Sequence, residues 1–365
     1  MGSSIVLWLG IMPFVMLYSV YEGPKVFWLW IGGFCLAFVW LYRAVKRKPI
    51  PFHNDDIWYL TWLGILTLTS LFGLHPWDSI IGGSYRHQGV LFFFSLYLVL
   101  LAIRILKKQE LYILNTLLAV GGLIESVFVL VQKYSAWYSR PMGTLGEPNA
   151  VGGYLAISMC WLWKVHLRNL WLKIPAMVLL GLAIVATESR TAILCAVFVI
   201  TGIVYSEFRN GRLGEIKNKF VVGIFSIIVA VTGIITAVSI TRPASIYESR
   251  PLFWRLGFEQ LMNRPLFGYG AETGEVIYDR AYLTINTRLG DFMVDRSHNI
   301  FLDVALWSGI VGLIIFLLWM VKVLRKSINR SDYIRSCAYV AWIVFACFQP
   351  IGVVHWIQFI LLTAL

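Results

Sequence analysis

A chain whose long apolar runs are cut only by short charged clusters has few folds open to it. Here the runs lie at about 5–21, 26–42, 57–74, 89–103, 111–132, 149–165, 174–188, 191–206, 220–240, 300–321, 336–349 and 350–365. Inside a bilayer every backbone polar group must be satisfied within the protein, so only helices and closed barrels span it. Barrel strands would alternate apolar and polar residues with period two, and these runs do not. The expected fold is therefore all-α: one polytopic membrane domain over residues 1–365 with eleven or twelve spans, hence about 12 transmembrane helices. The final run is the weakest, being short and holding Pro350 and His355. Only 14% of residues are charged, against about 25% in soluble domains. The first run lacks a basic flank and a small-residue cleavage motif, so it is expected to be kept as the first span. The five cysteines all fall inside apolar runs without metal-ligand spacing and are expected to pack.

Charge orients the chain. Basic residues cluster in alternate connections: Arg43 to Lys48, Arg104 to Lys108, Lys164 to Lys173, Arg209 to Lys219, and Lys322 to Arg335. The positive-inside rule makes that side cytoplasmic, with the N-terminus inside. On the other side only Lys25 and Lys133 are lysines, and the remaining ten basic residues are arginines. Arginine offers a planar fork suited to phosphate or carboxylate, whereas lysine is a point charge. An outer face of arginines therefore suggests anion recognition. The plainer reading is pairing with outer acidic residues such as Glu147, Glu188 and Glu259. The net charge of +12 then reflects orientation and anionic membrane lipid, with no call for nucleic acid.

The longest connection, residues 241–298, also lies outside, and a loop of that length is expected to be functional. Within it, Pro251 to Arg264 reads as a helix stopped by Pro265, with Leu252, Phe253, Leu256 and Leu261 on one face. Arg255 and Glu259 stand at i,i+4 on that helix. Gly268-Tyr269-Gly270 reads as a turn, since no strand–helix unit surrounds it. There is no GxxxxGK[ST], no HExxH and no CxxC, so nucleotide-driven transport and zinc hydrolysis have no support.

Candidate chemistry gathers at outer helix mouths. Asp295-Arg296-Ser297-His298-Asn299 immediately precedes the run 300–321. Imidazole is the side chain poised near neutral pH, but His298 could instead pair with Asp295 or Asp303, and Asn299 could be a helix N-cap. Arg190, between two apolar runs, is costly unless it meets water, a partner or a ligand, and Glu188 could be that partner. Arg86 and Asn149 also stand at outer helix starts, which favour anions. Glu125 lies in the outer half of its span and reads as facing a cavity.

In order, the chain shows Arg86…Gly89; Gly143-x-Leu-Gly-x-Pro-Asn149 with Gly152; Thr187-x-Ser-Arg190; Arg250-x-x-x-Trp254; Pro265-Leu-Phe-Gly268-Tyr-Gly270; and Ser297-His298-Asn299 with Asp303 and Gly309-x-x-Gly312. This series, over about residues 80–325, resembles the O-antigen ligase and O-antigen polymerase superfamily of bacterial membrane glycosyltransferases. Glu147, where relatives often have Asn, and Thr191, where Gly is usual, depart from the pattern. The first two and last two runs resemble nothing in particular.

The resemblance implies a bacterial cytoplasmic-membrane enzyme that takes a glycan from undecaprenyl diphosphate on the outer face. It implies no cofactor and no metal. By motif, His298 would be the catalytic base, and Arg190 and Arg250 would bind the diphosphate. Arg86, Asn149, Arg255, Arg296 and Asn299 are secondary candidates. Partners would be the lipid-linked donor, a glycan, lipid or protein acceptor, and membrane lipid. The residues do not choose between ligase and polymerase. The rival is a polysaccharide or lipid-linked-glycan transporter or flippase without glycosyl transfer, with the outer arginines as an entrance and Glu125 on the pathway; it predicts functional polar groups at the midplane or on both sides.

Overall fold

A computed structural model describes residues 2–17, 19, 21–83, 85–135, 139–165, 170–209, 250–284 and 294–364. Every regular element among the described residues is helical. The helices are α1 (Gly2–Ile11), α2 (Glu22–Val45), α3 (Asp56–Leu71), α4 (Pro76–Ile81), α5 (Val90–Arg104), α6 (Lys108–Tyr134), α7 (Pro148–Lys164), α8 (Leu170–Ala186) and α9 (Arg190–Arg209). They continue with α10 (Arg250–Asn263), α11 (Gly274–Thr284), α12 (Ile300–Asn329), α13 (Tyr333–Phe348) and α14 (Val353–Ala364). Each apolar run carries a helix except 220–240, which lies outside the described residues, as do 241–249 and 285–293 of the long connection. Among the described residues four helices, α2, α6, α9 and α12, are long and apolar enough to cross a membrane by length and composition. The first run does not form one helix over 5–21. Its α-helix stops at Ile11 and a single 3-10 turn follows at Met12–Phe14, because Pro13 has no N–H to continue the ladder.

The bundle brings like ends together. Helix α12 packs on α3, α13 on α9, and α7 on both α6 and α9. Arg104, at the end of α5, holds Asp56 at the start of α3, with Nη2 to Oδ1 at 2.7 Å. Lys326, near the end of α12, meets His53 Nδ1 at 3.3 Å. Lys164 pairs with Asp332 at 2.7 Å. The opposite ends of α5 and α12 bring Arg86 to Asp295. The two charge sets separated by alternation along the chain are thus gathered at different ends of the described helices.

Helix α12 is broken. Gly309 has φ +68 and ψ −177, so Ile300–Ser308 forms a half-helix ahead of the rest. The break removes ladder partners, and the segment Pro265–Gly270 replaces them. Tyr269 N–H donates to Leu306 O at 2.7 Å, Gly270 N–H to Trp307 O at 3.0 Å, and Ile310 N–H to Pro265 O at 2.8 Å. Both glycines at the contact are obligatory. A Cβ on Gly268 would stand 2.4 Å from Leu306 O, and one on Gly309 would stand 1.9 Å from Leu266 O. Backbone groups freed by a helix break need partners when they are buried, and this segment supplies them. The turn expected at Gly268–Gly270 is present, with φ +66 and +96 at its glycines.

Helix α14, the weakest of the expected spans, is a core element. Its 12 residues rise only about 18 Å, and Val353 to Leu362 are all buried. Its polar side chains have partners on α7: His355 Nε2 meets Ala150 O at 3.0 Å, and Gln358 Nε2 donates to Tyr154 O at 3.2 Å. The elbow Gln349–Gly352 joins α13 to α14 and reaches the site described next.

Candidate active site

The half-helix of α12 begins with a tightly held turn. Asn299 Oδ1 accepts from the N–H groups of Phe301 and Leu302 at 3.0 and 3.2 Å, so this side chain is the helix N-cap. Asp303 Oδ1 accepts from Ser297 N–H at 2.8 Å, and Ser297 Oγ donates to Asn299 O at 2.8 Å. His298 stands between these fixed neighbours with φ +59. A non-glycine residue in the left-handed region is costly and tends to persist where function requires it.

Neither carboxylate expected as a partner bonds to the imidazole. Asp303 is committed to Ser297, and Asp295 to Arg86. Instead the His298 ring stacks on Phe253 of α10, centroids 5.5 Å apart and planes 30° from parallel. Its Nδ1 is buried without a hydrogen-bond partner. Burial, then the charges of Arg250 and Arg86, push the imidazole down to about 4, with Asp295 opposing them. The ring is therefore neutral at pH 7 and able to accept a proton.

Arg250 and Arg190 are the first residues of α10 and α9. Each thus combines a guanidinium with a helix N-terminus, the end that favours anions. Arg250 Nε donates to Phe348 O at 2.8 Å. The adjacent Gln349 donates to Thr191 Oγ1 at 3.3 Å, next to Arg190. The α13–α14 elbow thereby ties both helix starts to one point. On its other side, Ile351 O accepts from Gln88 at 2.9 Å. Glu188, offered above as a partner for Arg190, pairs with Lys133 at 2.8 Å.

The secondary candidates divide. Arg86 is buried and paired with Asp295, with Nη2 to Oδ1 at 3.4 Å. Burial opposes both charges, but the pair outweighs it: Asp295 lies below the usual carboxylate range and Arg86 above its ordinary value. Arg296 is 3% exposed, pairs with Glu272, and lies 4.3 Å over the Trp307 ring; it joins the segment before α11 to the half-helix. Asn149 accepts from Arg140 at 3.2 Å and donates to Glu147 at 3.1 Å. Arg255 lies on an exposed face in the i,i+4 pair with Glu259 at 3.4 Å.

Arg140, Phe253 and Gln349 take part without being singled out by motif. Arg140 Nη2 also donates to Thr187 O at 3.1 Å, so it clamps the turn before Arg190 to the start of α7. Its signal was membership of the outer arginine set. Gln349 carried a signal too, a polar residue before Pro350 at the end of an apolar run.

Residues 175–317 match the family model described as O-antigen ligase. That region contains His298, Arg190 and Arg250, and ends within α12. The chain is also 25% identical over 249 residues to a ComP-specific O-oligosaccharyltransferase of Acinetobacter baylyi, covering 63% of this chain and 44% of the relative. The chain thus spans less than half the length of that relative.

Proposed function

We propose a membrane glycosyltransferase, on the helices long and apolar enough to cross a membrane, the match of residues 175–317 to the O-antigen ligase model, and a motif series that resembles that superfamily. It moves a glycan from undecaprenyl diphosphate to an acceptor hydroxyl, on the outer face of the bacterial cytoplasmic membrane, without a metal. The N-terminus is cytoplasmic, by the positive-inside rule. The carrying observation is His298, a neutral imidazole with an unpartnered Nδ1, held within the fields of Arg250 and Arg86.

In the reaction, Arg190 and Arg250 bind the donor diphosphate and stabilise its charge as the glycosidic C–O bond breaks. His298 accepts the proton of the acceptor hydroxyl as that oxygen forms the new bond. Attack opposite the leaving diphosphate inverts the anomeric centre. The arriving diphosphate also works on His298: its negative charge offsets the cations that depress the imidazole, making it a stronger base when substrate is bound. Glu125 accepts from Thr144 N–H at 3.1 Å and from its hydroxyl, so it has a local structural role. Nothing specific favours the transporter reading.

The test is transfer by purified protein from prenyl-diphosphate glycan with chelator present. His298→Ala is expected to lower turnover by about 10²–10⁴-fold. Near-normal turnover in that variant would remove the assigned base. A ladder of lengthening products would mark a polymerase, and a single transferred block a ligase.

A further inference from the structure

Behind Arg86 a second feature opens outward. Tyr21 and Glu22 at the start of α2, Tyr85 and Arg86 before α5, Glu147 before α7, and Pro350 of the elbow line one cleft. The cleft is narrow, with a cavity volume of only about 20 Å³, and widens toward its mouth. Tyr21 and Tyr85 are exposed, with ring centroids 6.3 Å apart and planes tilted by 41°.

The charges here differ from those around His298. Arg86 is already neutralised by Asp295. Lys25 is buried, donates to Thr144 O at 3.1 Å, and has the charges of Glu22 and then Glu125 nearby. Neither Glu22 nor Glu147 is in an ion pair among the described residues. Glu22 accepts from Val353 N–H at 2.6 Å, and Glu147 from Asn149 at 3.1 Å. Lys25 offsets part of the Glu22 charge, and Glu147 keeps the balance of the cleft negative, which repels a diphosphate. What suits it is a polyhydroxyl: hydroxyl donors for two carboxylates, and flat, amphipathic tyrosine rings for its apolar C–H faces.

We infer that this cleft seats a sugar ring of the transferred or accepting glycan, and that it selects neutral or amino sugars over acidic ones. The assignment rests on the glycan-transfer reading above. The ring lies at the mouth against Tyr21 and Tyr85, since the cleft is narrow at its base. Its hydroxyls donate to Glu22 and Glu147. The Arg86–Asp295 pair separates the cleft from His298, so a sugar held there lies beside the reacting centre, with the diphosphate toward the arginine helix starts.

Two measurements test it, one without turnover. Saturation-transfer NMR with free N,N′-diacetylchitobiose on detergent-solubilised protein is expected to show binding in wild type and in His298→Ala. Binding should be lost in Tyr85→Ala and kept in Tyr85→Phe, which retains the ring. Transfer is then compared between prenyl-diphosphate disaccharides ending in N-acetylglucosamine and in glucuronic acid, each also offered as free acceptor. Wild type should prefer the neutral sugar by about tenfold or more in kcat/KM, as repulsion worth ~1.4 kcal/mol would give, and Glu147→Gln should narrow that gap. The substrate whose KM rises in Tyr85→Ala identifies the sugar as donor or acceptor. Chitobiose binding without transfer would overturn the glycosyltransferase reading and leave the seat. Transfer with no chitobiose binding, or with equal use of acidic and neutral sugars, would overturn the seat alone.

Discussion

The carbonyl of Phe348 accepts the Nε–H of Arg250 at 2.8 Å, and the next residue, Gln349, donates to Thr191 at 3.3 Å. Two consecutive residues thus set the spacing between the starts of α10 and α9, where the two arginines assigned to the diphosphate stand. Gln349→Leu keeps the volume roughly but releases Thr191. Because Gln349 Oε1 is itself buried without a partner, its loss offsets that of the hydrogen bond, and stability should change by under about 1 kcal/mol. Transfer should fall by about tenfold as the arginine spacing loosens. A variant with normal turnover would show that the elbow does not position the site.

Arg250→Lys tests the fork. Lysine keeps the charge but cannot bond the Phe348 carbonyl and hold a phosphate in one fixed plane. The expected loss in kcat/KM is about tenfold or more, with protein expression and melting unchanged. Full activity would argue against bidentate binding at this position.

The pH dependence follows from the direction of the His298 shift. In the ligand-free protein burial and Arg250 hold the imidazole at about 4, so the base is ionised only below that value. The acid limb of kcat/KM, which reports free enzyme, should therefore fall near pH 4 rather than near the ordinary value of about 6.5. The limb of kcat should lie higher, because bound diphosphate favours the imidazolium. Arg250→Gln removes a charge that depresses the ring, so its kcat/KM limb should move upward. A wild-type limb near 6.5 would count against the buried, cation-flanked base.

Much of this arrangement was legible in the chain because its causes are local. Hydropathy marked the helices, Pro251 and Pro265 bounded α10, and Asn299 had the residue type of the cap it forms. The break at Gly309 was not legible as a break: the run 300–321 is continuously apolar, and its interruption depends on backbone groups of residues 265–270 forty positions earlier. Arg86 and Asp295 pair across 209 positions, a separation at which charge type alone selects no partner. Arg296 and Glu272 pair across 24 positions, where charge type likewise does not select the partner. Whether the run 350–365 spans a membrane was open in the sequence, since hydropathy scores a buried core helix and a lipid-facing span alike.

Gly309→Ala should expose the cost of that long-range contact. The new Cβ would meet Leu266 O at 1.9 Å, and φ +68 disfavours any side chain. Relief requires Pro265–Gly270 to leave the break, stranding the Leu306 and Trp307 carbonyls. A loss of at least about 2–3 kcal/mol is expected, read as a lowered melting temperature in detergent. An unchanged melting temperature would mean that the segment does not brace the half-helix.

The Arg86–Asp295 pair separates a structural cation from a substrate ligand. Asp295→Asn leaves a buried guanidinium without its counter-charge, a change expected to destabilise by about 3 kcal/mol. Adding Arg86→Gln removes the stranded charge, so the double variant should recover most of that loss. Its effect on His298 is also balanced, since Arg86 lowers the imidazole and Asp295 raises it. If Arg86 serves as the partner of Asp295, the double variant should transfer glycan within about tenfold of wild type, because both charges were spent on each other. If activity instead collapses while stability recovers, Arg86 contacts the diphosphate and ranks with Arg190 and Arg250. Thermal unfolding and steady-state transfer, measured on the same four proteins of the cycle, give both readings together.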